Sequence, residues 1–406
     1  MSSFVTHLEA AIDGTRLPAR AIQTVHGGRP LWVRYDLEAV AKSVSREDLA
    51  RRPPSLWRYR ELLPVEDDTN IVTLGEGMSP LIDCPRLAAA LGIRRLLIKD
   101  ESQLPTGSFK SRGMAVAVSM AKELGVARVA VPTAGNAGGA LAAYAARAGL
   151  PCFVFMPEDT PIVNQLEAVL FGARAFLVDG LIGDCGAIVR EGRERLGWFD
   201  MSTLREPYRI EGKKTMGLEL AEQLDWRLPD VVLYPTGGGT GLIGMWKAFA
   251  ELDAIGWLDS PRKPRLFSCQ TSGCAPIARA FAAGQRFAQP APDPRTIASG
   301  LRVPSAVGDF MILDAVRASG GEALAADEAR IPRWMSLATR LEGISLCPEA
   351  AVCIGVLEAA LESGRVRPDE SVVLFNTGAA QKYVEVLEAD LPRVAKDAVD
   401  WGAFRG

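Results

Sequence analysis

A chain of 406 residues with 46 basic and 49 acidic side chains carries a net charge of -3, so no overall basic field indicates a nucleic-acid partner. Apolar runs stay shorter than a membrane span needs, and the N-terminus lacks the layout of a signal peptide, so we expect a cytoplasmic protein without a membrane partner. The only two histidines, His7 and His26, precede the apparent core, and the seven cysteines form no C-x-x-C pair. These counts argue against histidine-based metal and triad sites and leave acid–base work to lysine, carboxylates, hydroxyls or a cofactor.

The first part of the chain reads as peripheral structure. Residues 30–35 alternate like an edge strand, and Asp36 is placed to cap the helix that follows. Beyond about residue 71, short apolar runs alternate with amphipathic stretches, which is typical of parallel βαβ units. We expect an α/β fold with two sheets or one very large sheet. The predicted strands are 95–99, 127–132, 152–156, 174–178, 231–234, 265–269 and 371–375.

Loops that follow predicted parallel strands are candidate ligand sites, because open parallel sheets bind ligands beyond the carboxyl ends of their strands. In the loop 105–113, Lys110 lies among small residues at a strand-to-helix junction. There an amine and backbone N–H groups can face an anionic ligand. A solvated lysine at an ordinary helix start is the alternative. The other three loops of this kind are 133–139, 236–241 and 376–380.

The loop 236–241 contains three consecutive glycines at the start of a predicted helix, which favours a phosphate cradle over an empty turn. Residues 239–244 also satisfy the dinucleotide pattern G-x-G-x-x-G. That pattern needs an acidic residue after the next strand, where this chain has Gln270, so a nicotinamide enzyme ranks lower.

Three other polar features have both a functional and an ordinary interpretation. Asn136 can bind a ligand oxygen or cap a helix. Thr377 can bind a ring nitrogen or cap backbone groups. The basic residues of the segment 205–214 can face an anionic substrate, although a solvated helix face is the default for such a run.

Taken together, the loop motifs resemble those of fold-type-II pyridoxal-phosphate enzymes, and further segments are similar to threonine synthases. The resemblance extends over nearly the whole chain beyond about residue 30. It implies an α/β fold like that of the tryptophan synthase β subunit, with two parallel-sheet α/β domains and the cofactor in the cleft between them. The motifs are Thr106–Lys110, Gly135-Asn136, Gly237–Gly241 and Asn376–Gly378, and for the threonine synthases residues 33–36, 74–77, 208–215 and 374–378.

The resemblance also implies residue roles. Lys110 would be the Schiff-base lysine of pyridoxal 5'-phosphate and the catalytic acid and base. Asn136 would bind the ring hydroxyl oxygen and Thr377 the ring nitrogen. The implied reaction converts O-phospho-L-homoserine and water to L-threonine and phosphate. The cofactor phosphate would lie on Gly237, Gly238, Gly239, Thr240 and Gly241, and the substrate would contact Arg209 first, then Arg112 and Thr133, and Ser202.

The chain departs from this family in several places, among them residues 379–381, where Ala-Ala-Gln replaces the more usual Gly, Ser or His. Related chains often carry a four-cysteine zinc knuckle, but the first 83 residues here contain no cysteine, so we predict no metal. The segment 347–350 alters the frequent Glu-Pro-Ala-Ser pattern, and alanines flank Asn136 where hydroxyl residues are common. These changes leave open another fold-type-II reaction, such as β-replacement or dehydratase chemistry on serine, threonine or an activated analogue. A non-catalytic binding protein is disfavoured because Lys110 is intact.

We predict a homodimer that takes a small amino-acid substrate. The predicted divisions of the chain are an N-terminal extension with a degenerate knuckle region at 1–70, a large cofactor-binding domain at 71–116 and 206–390, a small domain at 117–205, and a C-terminal tail at 391–406.

Overall fold

The computed structural model describes residues 3–387 and 391–404. Its strands are β1 (Val5–Ala10), β2 (Arg16–Leu17), β3 (Leu31–Tyr35), β4 (Leu81–Asp83), β5 (Arg95–Asp100), β6 (Val129–Pro132), β7 (Cys152–Pro157), β8 (Arg174–Val178), β9 (Phe199–Asp200), β10 (Val231–Pro235), β11 (Arg265–Thr271), β12 (Glu322–Ala326) and β13 (Ser371–Asn376). Its helices are α1 (Leu37–Ser43), α2 (Arg46–Ala50), α3 (Pro85–Leu91), α4 (Lys110–Glu123), α5 (Ala137–Ala148), α6 (Ile162–Leu170), α7 (Ile182–Leu196), α8 (Tyr208–Gln223), α9 (Thr240–Ala254), α10 (Pro276–Ala282), α11 (Asp309–Ala318), α12 (Ile331–Glu342) and α13 (Pro348–Glu362).

The largest sheet has six strands in the order β12-β11-β10-β13-β5-β4. All neighbours pair in parallel except β4, which is antiparallel to β5 at the edge. The central strands β10 and β13 are buried along nearly their whole length, as expected for a parallel sheet covered by helices on both faces. Because β10, β13 and β5 are neighbours, the loops that follow them meet at one edge of the sheet.

A second sheet has four parallel strands in the order β8-β7-β6-β9. With the six-stranded sheet it accounts for all seven strands predicted from the sequence, which are confirmed as β5 to β8, β10, β11 and β13. The strands β4, β9 and β12 were missed. The Glu-Ala-Leu-Ala-Ala run of β12 has no β-branched or aromatic residue, so its strand conformation comes from its pairing with β11.

The N-terminal residues form a third, antiparallel sheet in the order β2-β1-β3. The expectation of two sheets or one large sheet was therefore incomplete. The predicted edge strand is β3, and Asp36 caps α1 by accepting from the backbone N of Ala39 at 2.9 Å. Tyr35 ties this sheet to the rest of the chain, since its hydroxyl donates to Glu211 of α8 at 2.7 Å.

Helix α8 is buried along residues 208–221, which overturns the default of a solvated basic face. The helix packs between α4 and α9, so its charged side chains find partners inside the protein. Lys214 pairs with Glu211 at 2.7 Å and with Glu251 at 2.8 Å. Burial of these charges is possible because each is matched by an opposite charge.

The strands of the two parallel sheets fall within the predicted segments 71–116, 117–205 and 206–390, while the domain limits themselves stay a prediction. The ends of the segments 1–70, 206–390 and 391–406 lie partly outside the described residues. Among the helices of the described ranges, none is long and apolar enough to cross a membrane.

Candidate active site

The four loops singled out in the sequence lie together around one cavity of about 360 Å³. Backbone hydrogen bonds connect two of them: Phe109 N donates to Thr377 O at 3.1 Å, and Ala379 N donates to Gly107 O at 2.9 Å. The third loop comes from β6 of the four-stranded sheet and the fourth from β10. Residues lining the cavity include Lys110, Thr133, Asn136, Ser202, Gly237, Gly238, Gly239, Thr240, Gly241 and Thr377.

Lys110 is the first residue of α4 and presents its amine to this cavity. The preceding turn has positive φ at Thr106 and at Gly107, both 59°. The Nζ atom of Lys110 lies 3.9 Å from the centroid of the Phe109 ring and donates to no acceptor among the described residues. The pKa of the amine is lowered to about 7, first by burial and then by the positive charge of Arg209, whereas the negative charge of Glu349 opposes the shift. A lysine of this kind is partly neutral at physiological pH and can act as nucleophile, acid and base.

The glycine loop forms a cradle for an anion. Gly239 adopts the left-handed conformation with φ 75° before the first turn of α9, and no side chain caps that helix. The backbone N–H groups of residues 238–241 bond to no protein acceptor in the described part of the chain. A Cβ at Gly237 would stand 2.4 Å from Gly300 O, and one at Gly238 would stand 2.8 Å from Thr203 Cγ2. Unbonded N–H groups at a helix N-terminus, in a loop whose glycines carry no side chains, fit a phosphate group.

Asn136 and Thr377 do not use their side chains as caps. Asn136 immediately precedes α5, but its side chain accepts no hydrogen bond from that helix; its Nδ2 donates to the Tyr383 hydroxyl at 3.0 Å, and its buried Oδ1 has no partner. The Thr377 hydroxyl lies 3.6 Å from Cys347 Sγ. Both side chains therefore retain hydrogen-bonding capacity toward the cavity.

Arg112 does not line the cavity, which corrects the prediction of a substrate contact. Its guanidinium is fully buried and forms ion pairs of 2.5 Å each with Glu101 and Glu219. It also donates to the hydroxyls of Thr215 and Ser79. Since its donors are committed to these groups, Arg112 stabilises the packing between α4 and α8.

Arg209 is buried near Lys110 but is not among the residues that line the cavity. Its Nη1 donates to Met201 O at 2.6 Å, while its Nε has no partner. Burial lowers its pKa, and Glu206 opposes that shift. Arg209 affects the site through its positive charge, which lowers the pKa of Lys110.

The predicted hydroxyl contacts line the cavity but are engaged by the protein. Thr133 Oγ1 donates to Gly135 O at 2.8 Å and accepts from Gly135 N at 3.0 Å, which shapes the loop 133–139. Ser202 Oγ donates to Asp200. These hydroxyls hold the cavity wall in place.

Several lining residues were missed as site residues in the sequence. Glu349 is almost fully buried; its Oε1 accepts from Gly300 N at 2.7 Å and its Oε2 has no partner. Arg190 and Arg205 also line the cavity. The altered segment 347–350 was a signal for Glu349, and Arg205 belonged to the basic segment 205–214, whereas Arg190 carries no local signal because it is an ordinary helix residue in the sequence.

The site fits pyridoxal phosphate, because one cavity is surrounded by a lysine of lowered pKa, open amides for a phosphate and, for the ring, the unpartnered amide oxygen of Asn136 and the Thr377 hydroxyl. Residues 72–378 match the family model "Pyridoxal-phosphate dependent enzyme", and the chain belongs to this family. Solved structures agree in fold, including threonine deaminase isoform 2 from Solanum lycopersicum, with a TM-score of 0.65 and 20% identity over 82% of this chain and 94% of that one. Diaminopropionate ammonia lyase from Escherichia coli matches with a TM-score of 0.66 and 18% identity over 80% of this chain and 94% of that one.

Curated relatives specify the branch of the family. The chain is 38% identical to "Threonine synthase" of Methanocaldococcus jannaschii, over 89% of both chains. It is 34% identical to "Threonine synthase" of Mycobacterium leprae, over 86% of this chain and 94% of the relative. The chain therefore belongs to the threonine synthases. This membership replaces the nicotinamide interpretation of residues 239–244. In agreement with it, the Gln270 side chain is used within the protein: its Nε2 donates to Thr236 O, and its Oε1 accepts from the backbone N–H groups of Ile277 and Ala278 at the start of α10.

Proposed function

We propose that the chain is a lyase that converts O-phospho-L-homoserine and water to L-threonine and phosphate with pyridoxal phosphate as cofactor. The observation that carries this proposal is that Lys110 and the open amides of residues 238–241 line one cavity of a chain that is 38% identical to a threonine synthase. A cofactor attached at the lysine and held by its phosphate at the cradle would expose its ring to the same cavity.

We assign the cofactor contacts to residues that retain free polar atoms. Residues 237–241 would bind the cofactor phosphate through backbone N–H groups. Asn136 would bind the ring hydroxyl oxygen, and Thr377 would bind the ring nitrogen. A neutral hydroxyl cannot give that nitrogen a full proton, so it tunes the cofactor more mildly than a carboxylic acid would.

Lys110 is proposed as the catalytic acid and base. When bound, pyridoxal phosphate supplies an electron sink that makes protons on the substrate carbons removable. With a pKa of about 7, the Lys110 amine can take protons from Cα and Cβ and return protons to Cγ and Cα near neutral pH, while the phosphate leaves Cγ and water supplies the hydroxyl at Cβ and the proton of the released phosphate. Arg209 would keep that pKa low, while Thr133 and Ser202 would fix the loops that surround the substrate.

The test measures phosphate release and threonine formation from O-phosphohomoserine by the purified holoenzyme. Stoichiometric release of both products is expected, and Lys110→Ala should abolish both along with the visible absorbance of the lysine-bound cofactor. Release of 2-oxo acid and ammonia from serine or threonine, without threonine formation, would favour dehydratase chemistry. A wild-type protein that stays colourless with pyridoxal phosphate would overturn the cofactor assignment.

We further propose that the chain works in the cytoplasm as a homodimer, and that segments 71–116 with 206–390, and 117–205, are separate domains. The family resemblance motivates the dimer, and the two parallel sheets motivate the domains. Sedimentation equilibrium that returns the mass of one 43.6 kDa chain would refute the dimer.

A further inference from the structure

A buried lysine that the proposed reaction does not use lies close to Lys110. Lys213 is on α8, its side chain has no exposed surface, and its Nζ donates to the backbone carbonyl of Phe109, the residue before Lys110. Helix α4 leaves room for this side chain at Gly113, where a Cβ would stand 2.9 Å from Lys213 Cε. Lys213 therefore connects α8 to the first turn of α4, the turn that carries the Lys110 amine.

Lys213 differs from other buried lysines of this protein in its partners. Lys99, Lys214 and Lys247 each form an ion pair with a fully buried glutamate. Lys213 forms no ion pair with a described residue, and the Phe109 carbonyl is its one hydrogen-bond acceptor in that part of the chain. An ammonium group has three N–H donors, so at this place it would leave two of them buried and unbonded. A neutral amine fits the surroundings of Lys213 better.

The charges around Lys213 also favour the neutral amine. Burial holds the pKa of Lys213 well below its ordinary value, and the positive charges of Lys110 and Arg209 add to this shift, whereas the negative charge of Glu101 opposes it. A neutral Lys213 adds no positive charge beside Lys110. Its contribution to the site is therefore its hydrogen bond to Phe109 and not its charge.

The backbone of Phe109 is held from two sides. Its N–H donates to Thr377 O at 3.1 Å, in the loop after β13, and its carbonyl accepts from Lys213. The centroid of the Phe109 ring is 4.3 Å from Lys213 Nζ and 3.9 Å from Lys110 Nζ. No side chain caps the start of α4. The direction of its first turn therefore depends on these two bonds to the Phe109 backbone.

We propose that Lys213 is a positioning residue that holds the first turn of α4, and with it the Lys110 amine, in the orientation that reacts with pyridoxal phosphate. The proposal rests on the proposed function, since it takes Lys110 as the lysine that binds the cofactor and moves the protons. Lys213 is not among the residues that line the cavity, so it acts through Phe109 and Lys110. Misplacing a reacting group by about 1 Å can slow a reaction about a hundredfold, so the loss of this hydrogen bond has a measurable effect.

The test compares Lys213→Met with Lys213→Gln, because these two side chains have the same length and only glutamine has an N–H donor. In Lys213→Met, the rate of cofactor capture by the apoprotein and kcat of the loaded enzyme should fall about tenfold to a hundredfold, with KM unchanged. Lys213→Gln should recover most of both rates. Reductive methylation of Lys110 by formaldehyde needs no fixed orientation of the amine. Its rate and its pH inflection, followed by mass spectrometry of the apoprotein, should therefore be the same in the wild type and in both variants.

Three results would overturn the proposal. These are unchanged capture and kcat in Lys213→Met, equal losses in Lys213→Met and Lys213→Gln, and a shifted pH inflection of Lys110 methylation in Lys213→Met, which would show that Lys213 acts through its charge. If the wild type captures pyridoxal phosphate but does not convert O-phosphohomoserine, the proposed reaction fails by itself, and the capture rates still decide the role of Lys213.

If the wild type does not capture the cofactor, hydrogen exchange of the backbone amides decides the role of Lys213. Faster exchange confined to residues 110–114 in Lys213→Met, with Lys213→Gln close to the wild type, would support the positioning role. Equal exchange in all three proteins, or faster exchange throughout the chain in Lys213→Met, would refute it.

Discussion

The lowered pKa of Lys110 gives the sharpest test of the site. At a pKa of about 7, half of the amine is neutral at pH 7, whereas an ordinary lysine with a pKa of 10.5 is neutral in about one molecule in three thousand. Only the neutral amine attacks the aldehyde of pyridoxal phosphate. The apoprotein should therefore capture the cofactor at pH 7 about a thousandfold faster than a solvated lysine would.

Two substitutions should move this pKa in opposite directions. The positive charge of Arg209 disfavours the ammonium form, so Arg209→Gln should raise the pKa of Lys110 and slow cofactor capture at pH 7. The negative charge of Glu349 favours the ammonium form, so Glu349→Gln should lower the pKa. Arg209→Lys keeps the charge and serves as the control for lost packing.

The assay follows cofactor capture by absorbance in stopped flow from pH 5.5 to pH 10 and fits the inflection of the rate. The wild type should give an inflection near pH 7, with Arg209→Gln above it and Arg209→Lys close to it. An inflection near 10 in the wild type, or no upward shift in Arg209→Gln, would refute the electrostatic account of this lysine.

Three further predictions concern the surrounding frame. Burial raises the pKa of Glu206 from 4.5 to about 7, so the folded state loses stability as the pH rises from 4.5 to 7. Glu206→Gln should remove about 3 kcal/mol of that loss, measured by urea unfolding of the apoprotein. An unchanged dependence of the unfolding free energy on pH would contradict this prediction. Gly237→Ala should weaken pyridoxal phosphate binding at least tenfold in equilibrium dialysis, because the added Cβ would stand 2.4 Å from Gly300 O. Gly183→Ala is the control and should not weaken binding, because its Cβ would meet nothing within 4 Å. Equal affinities of the two variants would rule out the cradle. Glu219→Gln should lower the free energy of unfolding by about 3–5 kcal/mol, because it leaves the buried charges of Arg112 and Lys99 without this partner. Glu191→Gln, which breaks an exposed ion pair, should lower it by less than about 1 kcal/mol. Comparable losses would show that the buried network is not specifically stabilising.

Local sequence patterns predicted much of the fold. Apolar runs of three to five residues at β5, β10 and β13 identified the strands, because a strand buried on both faces needs a continuous apolar segment. The strand β12 escaped because its alanines have no strand preference of their own. The third sheet was missed because β1 has mixed polarity and depends on pairing with β3.

The amino-acid sequence by itself determined the position of Lys110 at a helix start and the glycines that leave amides open at residues 238–241, since both depend on neighbours in the chain. Only the tertiary structure decided which charges are used up inside the protein. Arg112 looked available and is held by Glu101 and Glu219, which come from distant segments. Arg205 belonged to a basic segment with a solvated default and Arg190 carried no signal, yet both line the cavity. A charged side chain is available to a ligand only if it does not already form an ion pair within the protein. The packing of the helices decides which side chains form such pairs.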